Sequence, residues 1–428
     1  MSGPAASDIA AKVFRGAHPL RGRRAIFGTI VGADANVIDQ GLALFFRAPH
    51  SATGEDVLEL HVHGSPAVAR ETLIATLAAG ARLAQPGEFT RRAFLNGKID
   101  LASAEAVADL IAADHGAAAH AAAMQLTGGL AHEVDALRAA LEEIAEELAA
   151  AIDFPDEVET PPRERLSERI RHVRESLAEL SATWERGRLV REGAAVAIVG
   201  PPNAGKSTLL NALLGVERAL VSELPGTTRD SIEEGFALDG MTLRLIDTAG
   251  IRAHADRLEA AGIARSEAAL RDARIAFVVV DGSLPLSEET RALLARTRGR
   301  ERVVLFNKAD LGRAGYERRD AREADALCGS VFDAATISAA RDALGSLLRT
   351  SETLDFSRPY LSTTRQADAI LEADRALAFA DETLGSSSPA DLISGDLMIA
   401  IRALGELTGR EADERLLDAI FSRFCIGK

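Results

Sequence analysis

The sequence predicts a multidomain fold that combines two α/β domains with an all-α domain. Near the N-terminus, the alternating segment "EDVLELHVHG" is followed by the helical segment "PAVARETLIATLAAG". Apolar residues at helical spacing fill the middle and the end of the chain. Between these helical parts, short β-rich segments alternate with helices. The plainest organisation is an N-terminal α/β domain followed by a helical domain into which a second α/β domain is inserted.

The changes of pattern also place the domain boundaries. We assign residues 1–97 to the N-terminal α/β domain and residues 98–191 to the first part of the helical domain. The inserted α/β domain covers residues 192–352, and the second part of the helical domain covers residues 353–428. These boundaries are expectations from composition and periodicity alone.

In the N-terminal domain, the alternation predicts a half-buried strand. Leu58, Leu60 and Val62 share one face of it, and polar residues occupy the other. The following helix is predicted to begin near Pro66 and to end before Gly80, because proline suits a first helical turn and glycine suits a helix end.

In the helical domain, apolar residues recur at steps of three and four from Leu130 to Ile152. The spacing resumes from Leu166 to Trp184 after "FPDEVETPP", which predicts two antiparallel helices, and it returns between Leu392 and Phe424. In the inserted domain, the segments "AAVAIVG", "LRLIDTAG", "IAFVVVDGS" and "RVVLFNKAD" are typical of buried parallel strands.

Composition narrows the class of protein. Of 428 residues, 47% are apolar and 26% are charged, as in soluble globular proteins. No segment approaches the roughly 18 apolar residues of a membrane span, so no membrane partner is expected. Cys328 and Cys425 form no disulfide framework, which suits a reducing cytosol and predicts a cytoplasmic location.

The net charge of −15 argues against broad, non-specific binding to nucleic acid or to an anionic membrane. Three segments are nevertheless candidates for a local basic patch. They are Arg21, Arg23 and Arg24, then Arg91 and Arg92, then the stretch from 163 to 174. The alternative for each is a solvated arginine-rich surface that glutamates neutralise.

A nucleotide site is predicted where "AIVGPPNAGKST" follows an apolar strand and precedes the helix "TLLNALLG". Gly200, Gly205, Lys206 and Ser207 match the phosphate-binding loop pattern G-x-x-x-x-G-K-[ST] in its proper context. The glycines let backbone N–H groups face the phosphates, while Lys206 reaches the β- and γ-phosphates and the Ser207 hydroxyl binds Mg²⁺.

Three further motifs extend this site. "DTAG" supplies Asp247 for the Mg²⁺ shell and the Gly250 amide for the γ-phosphate. "NKAD" offers Asn307 and Asp310 to the base, and a carboxylate that accepts two N–H bonds favours guanine over adenine, hence GTP over ATP.

"PGTTRD" is similar to the first switch of translation-factor-related GTPases, with Thr228 as the second Mg²⁺ hydroxyl, and "ISAA" is predicted to form a loop over the guanine. The predicted GTP-binding residues are Asn203, Ala204, Gly205, Lys206, Ser207, Thr208, Ser222, Glu223, Leu224, Pro225, Gly226, Thr227, Thr228, Asp247, Thr248, Ala249, Gly250, Asn307, Lys308, Ala309, Asp310, Ser338, Ala339 and Ala340.

One expected residue is replaced. Ras-like GTPases place Gln directly after the D-x-x-G glycine to orient the attacking water, and here that position is Ile251. Either hydrolysis is weak or another polar group takes this role. Asp256 and Glu259 are the candidates, and the alternative for both is a solvated helix position.

Several segments together resemble one family. They are "TGEDVLELHVHGSP", "QPGEFTRRAFLNGKIDLASAEAVADLI", "AAIDFPDE" and the terminal "FCIGK". With a GTPase domain inserted in a helical domain, they are similar to the tRNA-modification GTPases of the MnmE family, also called TrmE. The resemblance runs over nearly the whole chain, and it implies a tetrahydrofolate-binding-like N-terminal domain.

The resemblance implies 5-carboxymethylaminomethyl or aminomethyl modification of the wobble uridine of tRNA. It implies a homodimer and a heterotetramer with an MnmG-type flavoprotein, which alone carries FAD. The one-carbon donor is a tetrahydrofolate derivative, in 5-formyl or 5,10-methylene form. The alternative is a switch GTPase that assists ribosome or RNA assembly without modification chemistry.

The resemblance also implies site residues. A K⁺ site falls on Asn203, Ser222, Leu224 and Thr227 and completes when two GTPase domains meet. The water-orienting carboxylate falls on Glu259, which with Lys206 and Cys425 forms the expected catalytic set. Folate contacts fall on Glu59, Lys98 and Lys428.

Alternatives stay open at these positions. Glu59, His61 and His63 have the spacing of a metal site on one strand face, and Lys98 has the alternative of a surface lysine. Cys425 is either a nucleophile, with Lys428 lowering its pKa, or a thiol that lines the folate pocket. Because the family carries a further glycine-rich segment ahead of Ser2, we expect a shortened N-terminal domain or a later-than-true start, which affects folate binding and dimer contacts.

Overall fold

The computed structural model describes residues 1–20, 22–215, 234–238, 241–246, 269–312, 326–350, 358–386, 390–424 and 427. They form two compact units. The first comprises Met1–Ile111, Ala122–Ser181 and Thr364–Lys428, and the second comprises Ala112–Ala121 and Ala182–Thr363. Residues 112–121, 182–191 and 353–363, which we assigned to the helical domain, belong to the second unit. The predicted domain boundaries stay expectations. Among the described residues, no helix has the length and apolar character needed to cross a bilayer.

The first unit begins with a four-stranded antiparallel sheet. Helix α1 (Ala6–Val13) precedes strands β1 (Phe14–Gly16), β2 (Ile26–Val31), β3 (Val37–Phe46) and β4 (Val57–His61), which lie in the order β1-β2-β3-β4 and are followed by helix α2 (Pro66–Ala78). The predicted strand is confirmed, since Leu58 is 1% exposed while Glu59 and His61 face solvent. The predicted helix is confirmed too: it starts at Pro66, and Gly80 follows it with φ +116°.

The helices that follow are bounded as α3 (Glu88–Leu95), α4 (Leu101–Ala112), α5 (Gly116–Gln125), α6 (Gly129–Asp153), α7 (Arg163–Ala182) and α8 (Trp184–Glu192). Near the C-terminus lie α12 (Thr364–Gly385), α13 (Ala390–Thr408) and α14 (Glu414–Phe421), after three further helices whose ranges are given with the second unit.

The predicted helical seams form part of the buried core of the first unit. Leu141, Ile144 and Leu148 of α6 are at most 1% exposed, as are Leu166 and Ile170 of α7. The seam stops one turn short of some helix ends. Ile152, in the last turn of α6, is 43% exposed, and Leu392, in the first turn of α13, is 55% exposed. The second seam is also divided, because α7 ends at Ala182 and Trp184 begins α8.

The second unit is built on a six-stranded sheet. Its strands are β5 (Ala194–Val199), β6 (Glu234–Leu238), β7 (Met241–Ile246), β8 (Ile275–Asp281), β9 (Arg302–Asn307) and β10 (Leu327–Cys328), in the order β10-β9-β8-β5-β7-β6. All pairs are parallel except β6 with β7, which confirms the predicted parallel strands.

Helices cover both faces of this sheet, so its central strands β5, β8 and β9 are almost entirely buried. Helices α9 (Lys206–Gly215) and α11 (Ala334–Thr350) share one apolar cluster, and α10 (Glu288–Thr297) contributes to the other. After β5 the chain moves to β6 and β7 on one side, then returns to β8 on the other. In open α/β sheets, ligands bind at the carboxyl ends of strands beside such a reversal.

Candidate functional site

The predicted phosphate-binding loop lies at that reversal, between the carboxyl end of β5 and the start of α9. The backbone of this loop requires glycine at two positions. At Gly200 (φ +159°) an added Cβ would lie 2.1 Å from the Val279 carbonyl oxygen, and at Gly205 (φ +101°) it would lie 2.2 Å from Asn307 Nδ2. Any side chain at these two positions would displace a neighbouring strand or the Asn307 amide.

The Lys206 side chain folds back onto its own loop. Its ammonium donates to the carbonyl oxygens of Gly200 and Pro201, at 2.8 Å each. Burial lowers the pKa of Lys206, and the nearby Glu289 carboxylate offsets part of that effect. The lysine thus spans the mouth of the loop, where an anion would replace the carbonyls as its partner.

Asn307, at the end of β9, clamps the loop to the rest of the site. It is 1% exposed. Its Nδ2 donates to the Ala204 carbonyl (2.8 Å), and its Oδ1 accepts from the Val331 N–H (2.9 Å). One buried amide therefore joins the phosphate loop to the segment after β10. The predicted direct contact of Asn307 with the base stays a prediction beside this structural role.

The next residues of "NKAD" are held by a carboxylate that the sequence reasoning missed. Lys308 Nζ lies 2.6 Å from Asp281 Oδ2, and Asp281 also accepts from the Ser283 N–H at 3.0 Å. Burial raises the pKa of Asp281, but its bonds to Lys308 and Ser283 outweigh this and the pKa is lowered overall. Asp310, by contrast, is exposed, as a base-binding carboxylate must be.

The structure corrects the prediction for "ISAA". Ser338, Ala339 and Ala340 do not form a loop, because they lie in the second turn of α11 (Ala334–Thr350). Asp333 starts that helix, since its carboxylate accepts from Ala335 N at 3.2 Å and from Thr336 Oγ1 at 3.1 Å.

The loop beside "NKAD" is instead the segment from Gly329 to Asp333. Ala309 N donates to the Gly329 carbonyl at 3.1 Å, and the Val331 N–H reaches Asn307 as described above. The position of this loop follows from the end of strand β10 and not from a match to the short motif "ISAA".

The other predicted phosphate-loop residues are at the surface or close to it. Asn203 (φ +61°) and Ser207 are exposed, Thr208 is half-buried and Ala204 is 0% exposed. The remaining predicted site residues lie outside the described residues: Ser222, Glu223, Leu224, Pro225, Gly226, Thr227, Thr228, Asp247, Thr248, Ala249, Gly250, Ile251, Asp256, Glu259, Cys425 and Lys428.

A second candidate site lies on the N-terminal sheet. Glu59 is exposed on β4, 3.3 Å from His61 Nε2, while Lys98 Nζ donates to the Pro49 carbonyl at 3.0 Å. His63 turns away to Asp39, whose Oδ1 is 2.9 Å from His63 Nδ1. Within the described part of the chain, no group of three His, Cys, Asp or Glu side chains could hold a metal ion, so Glu59, His61 and His63 do not form the alternative metal site.

The block "QPGEFTRRAFLNGK" ties this sheet to the end of the chain. Gly87 (φ +65°) lies where an added Cβ would be 2.7 Å from the Phe421 carbonyl oxygen and 3.1 Å from Phe424 Cβ. Asn96 donates to the Thr53 carbonyl at 2.7 Å. Phe424, the first residue of the terminal "FCIGK", therefore lies beside Gly87 at the start of α3.

Comparison with known proteins agrees with this layout. A family model described as the GTP-binding protein TrmE N-terminus matches residues 1–98, and the MnmE helical domain model matches residues 101–425. Proteins named tRNA modification GTPase MnmE are similar over 100% of this chain and 95% of their own: 42% identity in Chloroflexus aurantiacus, 43% in Symbiobacterium thermophilum and 43% in Myxococcus xanthus.

Among solved structures, the G-domain of FeoB from Methanococcus jannaschii matches 36% of this chain and 98% of its own, at 22% identity and a TM-score of 0.26, which is too low to carry an inference. The full-length similarity and the two family models are sufficient without it. The chain belongs to the MnmE family of tRNA modification GTPases.

Proposed function

We propose that this protein hydrolyses GTP in a potassium-stimulated reaction and uses it to modify the wobble uridine of tRNA. The observation that supports nucleotide binding is the Asn307 clamp. It holds the phosphate loop and the "NKAD" segment together at the carboxyl ends of β5 and β9. Such a site favours a nucleotide whose base and phosphates are bound at once.

The roles of the nucleotide-binding residues follow from their positions. The N–H groups from Asn203 to Thr208 surround the phosphates at the start of α9, where the helix dipole favours negative charge. Lys206 exchanges its two loop carbonyls for phosphate oxygens. Asp310 accepts the two N–H groups of guanine, and Lys308, fixed by Asp281, lies beside the ring.

The metal ions fit the donors that the chain offers. Ser207, exposed at the first turn of α9, and Thr228 would hold Mg²⁺, with Asp247 in its shell. The described member of the proposed K⁺ set, Asn203, has an exposed side chain with no hydrogen bond to the described part of the protein. Its amide oxygen suits a hard monovalent cation, and Ser222, Leu224 and Thr227 would complete the oxygen cage.

The two cations supply positive charge next to the β- and γ-phosphates, the charge that an arginine finger provides in other GTPases and that is worth about 10³–10⁵ in rate. Glu259 orients the attacking water in place of the missing glutamine at Ile251. We further propose that two copies of the chain pair so that each potassium cage closes.

The modification itself is proposed for the first unit. Glu59 would accept the pterin N–H groups of a tetrahydrofolate derivative, and Lys98 and Lys428 would hold its carboxylates; when bound, this group would supply the one-carbon unit. Both described residues fit, because Glu59 presents an exposed carboxylate on the sheet and Lys98 holds an exposed ammonium. Electron transfer is assigned to a flavoprotein partner of the MnmG type.

The first test is the cation dependence of GTP hydrolysis. We expect turnover to rise by at least about 10-fold when K⁺ replaces Na⁺ at equal ionic strength, since only the larger ion fits a cage built for it. Steady-state phosphate release, measured at protein concentrations that favour pairing, gives the answer. Equal rates in the two salts would remove the potassium cage from the proposal.

A switch GTPase that assists assembly without chemistry is distinguished by its product. Such a protein would hydrolyse GTP, with or without stimulation by K⁺, but it would leave tRNA unmodified. Mass spectrometry of wobble nucleosides, after incubation with the flavoprotein, folate donor and GTP, separates the two functions.

A further inference from the structure

The three arginine-rich segments flagged in the sequence differ sharply in the structure. In the second segment, Arg91 pairs with Asp418 at 2.9 Å, and Arg92 pairs with Glu55 at 2.8 Å and with Glu88 at 2.6 Å. Their charge is neutralised within the protein. They are therefore structural arginines and offer no basic surface.

The third segment is neutralised in the same way. Arg169 of α7 pairs with Glu147 at 2.7 Å and Glu143 at 3.3 Å, and Arg174 pairs with Asp374 at 2.9 Å. These pairs join the helices of the first unit to one another. The exposed Arg165 makes no ion pair with a residue in the described part of the chain.

In the first segment, Arg21 lies outside the described residues, and Arg23 and Arg24 keep their charge. Arg23 and Arg24 precede β2, Arg47 follows β3, and all three are exposed. None of them makes an ion pair with any residue that the structure describes. In a chain with a net charge of −15, three exposed and uncompensated guanidinium groups at one end of a sheet are a local exception.

The backbone brings these arginines together. The N–H of Arg23 donates to the Phe45 carbonyl at 2.9 Å, so the segment before β2 continues alongside the end of β3. The Arg23 guanidinium reaches the His50 carbonyl at 3.4 Å, across the loop that begins at Arg47. One acidic side chain contacts this loop: the Asp56 carboxylate accepts from the Ala48 N–H at 2.9 Å.

We propose that Arg23, Arg24 and Arg47 form a docking surface for the phosphate backbone of tRNA. The inference rests on the proposed function, because it takes tRNA as the substrate. Guanidinium groups bind phosphates bidentately and read no sequence. The surface borders the loop to which Lys98, a proposed folate residue, donates at Pro49. Anchoring the backbone there would bring an unstacked wobble base to the one-carbon donor.

The test is the binding of unmodified tRNA to the full chain between about 50 and about 200 mM salt. Arg24→Glu with Arg47→Glu is expected to weaken binding about 10-fold or more and to reduce the slope of log K against log salt by about 1.5, as the loss of two phosphate contacts requires. Arg24→Lys with Arg47→Lys keeps the charges and should keep most of the slope. Arg23 is left unchanged, because its φ of +59° would complicate any substitution.

A matched control carries the same change of net charge elsewhere. Arg70 and Arg165 are exposed arginines of the first unit, so Arg70→Glu with Arg165→Glu should leave the slope unchanged. Binding that falls equally in both double variants, or in neither, overturns the proposal, as does a native chain that binds no tRNA. Binding of anionic phospholipid vesicles that is lost only with Arg24 and Arg47, while tRNA binding is kept, would overturn it in favour of a membrane surface.

GTP hydrolysis in K⁺ serves as the internal reference, and it should be unchanged in the Arg24 and Arg47 variants. Loss of tRNA binding with normal hydrolysis supports the docking surface even if the cation dependence proposed above fails. Normal tRNA binding with normal potassium stimulation refutes the docking surface and leaves the proposed GTPase function standing.

Discussion

At the scale of single residues, Asn307 is the side chain on which the nucleotide site most depends. Asn307→Ala would leave the Ala204 carbonyl and the Val331 N–H without partners in a buried site, each at a cost of about 1–3 kcal/mol. We expect the second unit to lose about 2–4 kcal/mol of unfolding free energy and GDP affinity to fall at least 10-fold, about 1.4 kcal/mol. Urea unfolding and titration with a fluorescent GDP analogue measure the two effects.

For the unfolding measurement, Asn211→Ala is the control, because it removes the same amide from an exposed position of α9 and should cost less than about 0.5 kcal/mol. If the two variants unfold alike, the Asn307 clamp does not stabilise the site. The sequence identified Asn307 by its motif but not its partners. A motif records which residues occur, whereas the clamp depends on where the ends of β5, β9 and β10 meet.

Glu88 gives a pH-dependent prediction at the same scale. The bonds from Arg82, the Gln85 N–H and Arg92 lower the pKa of Glu88 from 4.5 to about 2. A lowered carboxyl pKa stabilises the fold above pH 4.5, and this contribution disappears as the pH falls toward 2. Because Arg82 is 63% exposed, we expect no more than about 2 kcal/mol.

Glu88→Gln should therefore destabilise the first unit at neutral pH, and its deficit should shrink as the pH is lowered through the acid range. Urea unfolding followed across that range tests this, with Glu71→Gln, a change of an exposed glutamate in α2, as the comparison. A deficit that is the same at every pH would mean that Glu88 acts by packing and not by charge.

At the scale of secondary structure elements, Gly87 and Gly97 form a natural pair for a test. Both have φ +65°, but an added Cβ at Gly87 would lie 2.7 Å from the Phe421 carbonyl, whereas nothing lies within 4 Å at Gly97. Alanine at either position should lower the free energy of unfolding by about 1–2 kcal/mol, because it must adopt the left-handed backbone conformation. Only Gly87→Ala should also displace α14.

Hydrogen exchange of residues 414–421 measures that displacement. We expect protection of this helix to fall at least about 10-fold more in Gly87→Ala than in Gly97→Ala, because local opening must provide room for the methyl group. Equal protection in the two variants would show that the approach of α14 to Gly87 does not limit the docking of this helix.

Elements were predicted well where one periodicity dominated. The alternation of β4, the seams of α6 and α7 and the buried strands of the second sheet all follow from burial on a known face. The prediction was wrong at "ISAA", because it relied on a short motif and not on the helical spacing of the apolar residues around it. Ile337, Leu344 and Leu348 are buried at helical intervals in α11, and that pattern was available in the sequence.

At the scale of the whole molecule, the two proposed sites lie in different units. The described nucleotide residues all belong to the second unit, while Glu59 and Lys98 belong to the first. The motifs in the sequence could identify candidate residues for both sites. It could not supply the contacts made over long sequence separations, such as Asn307 with Ala204 or Gly87 with Phe421, because these depend on the packing of elements that no local pattern encodes.

This division predicts how Cys425 should behave if its thiol takes part in the modification. Cys425 directly follows Phe424, which is 6% exposed and packs near Gly87 in the first unit. Cys425→Ser should then leave GTP turnover unchanged and abolish wobble-uridine modification, since a hydroxyl is a far weaker nucleophile than a thiolate. Cys328→Ser changes an exposed thiol of the second unit and should alter neither activity. Phosphate release and nucleoside mass spectrometry on the same samples decide the matter: normally modified tRNA from the Cys425 variant would show that the thiol lines the folate pocket without reacting.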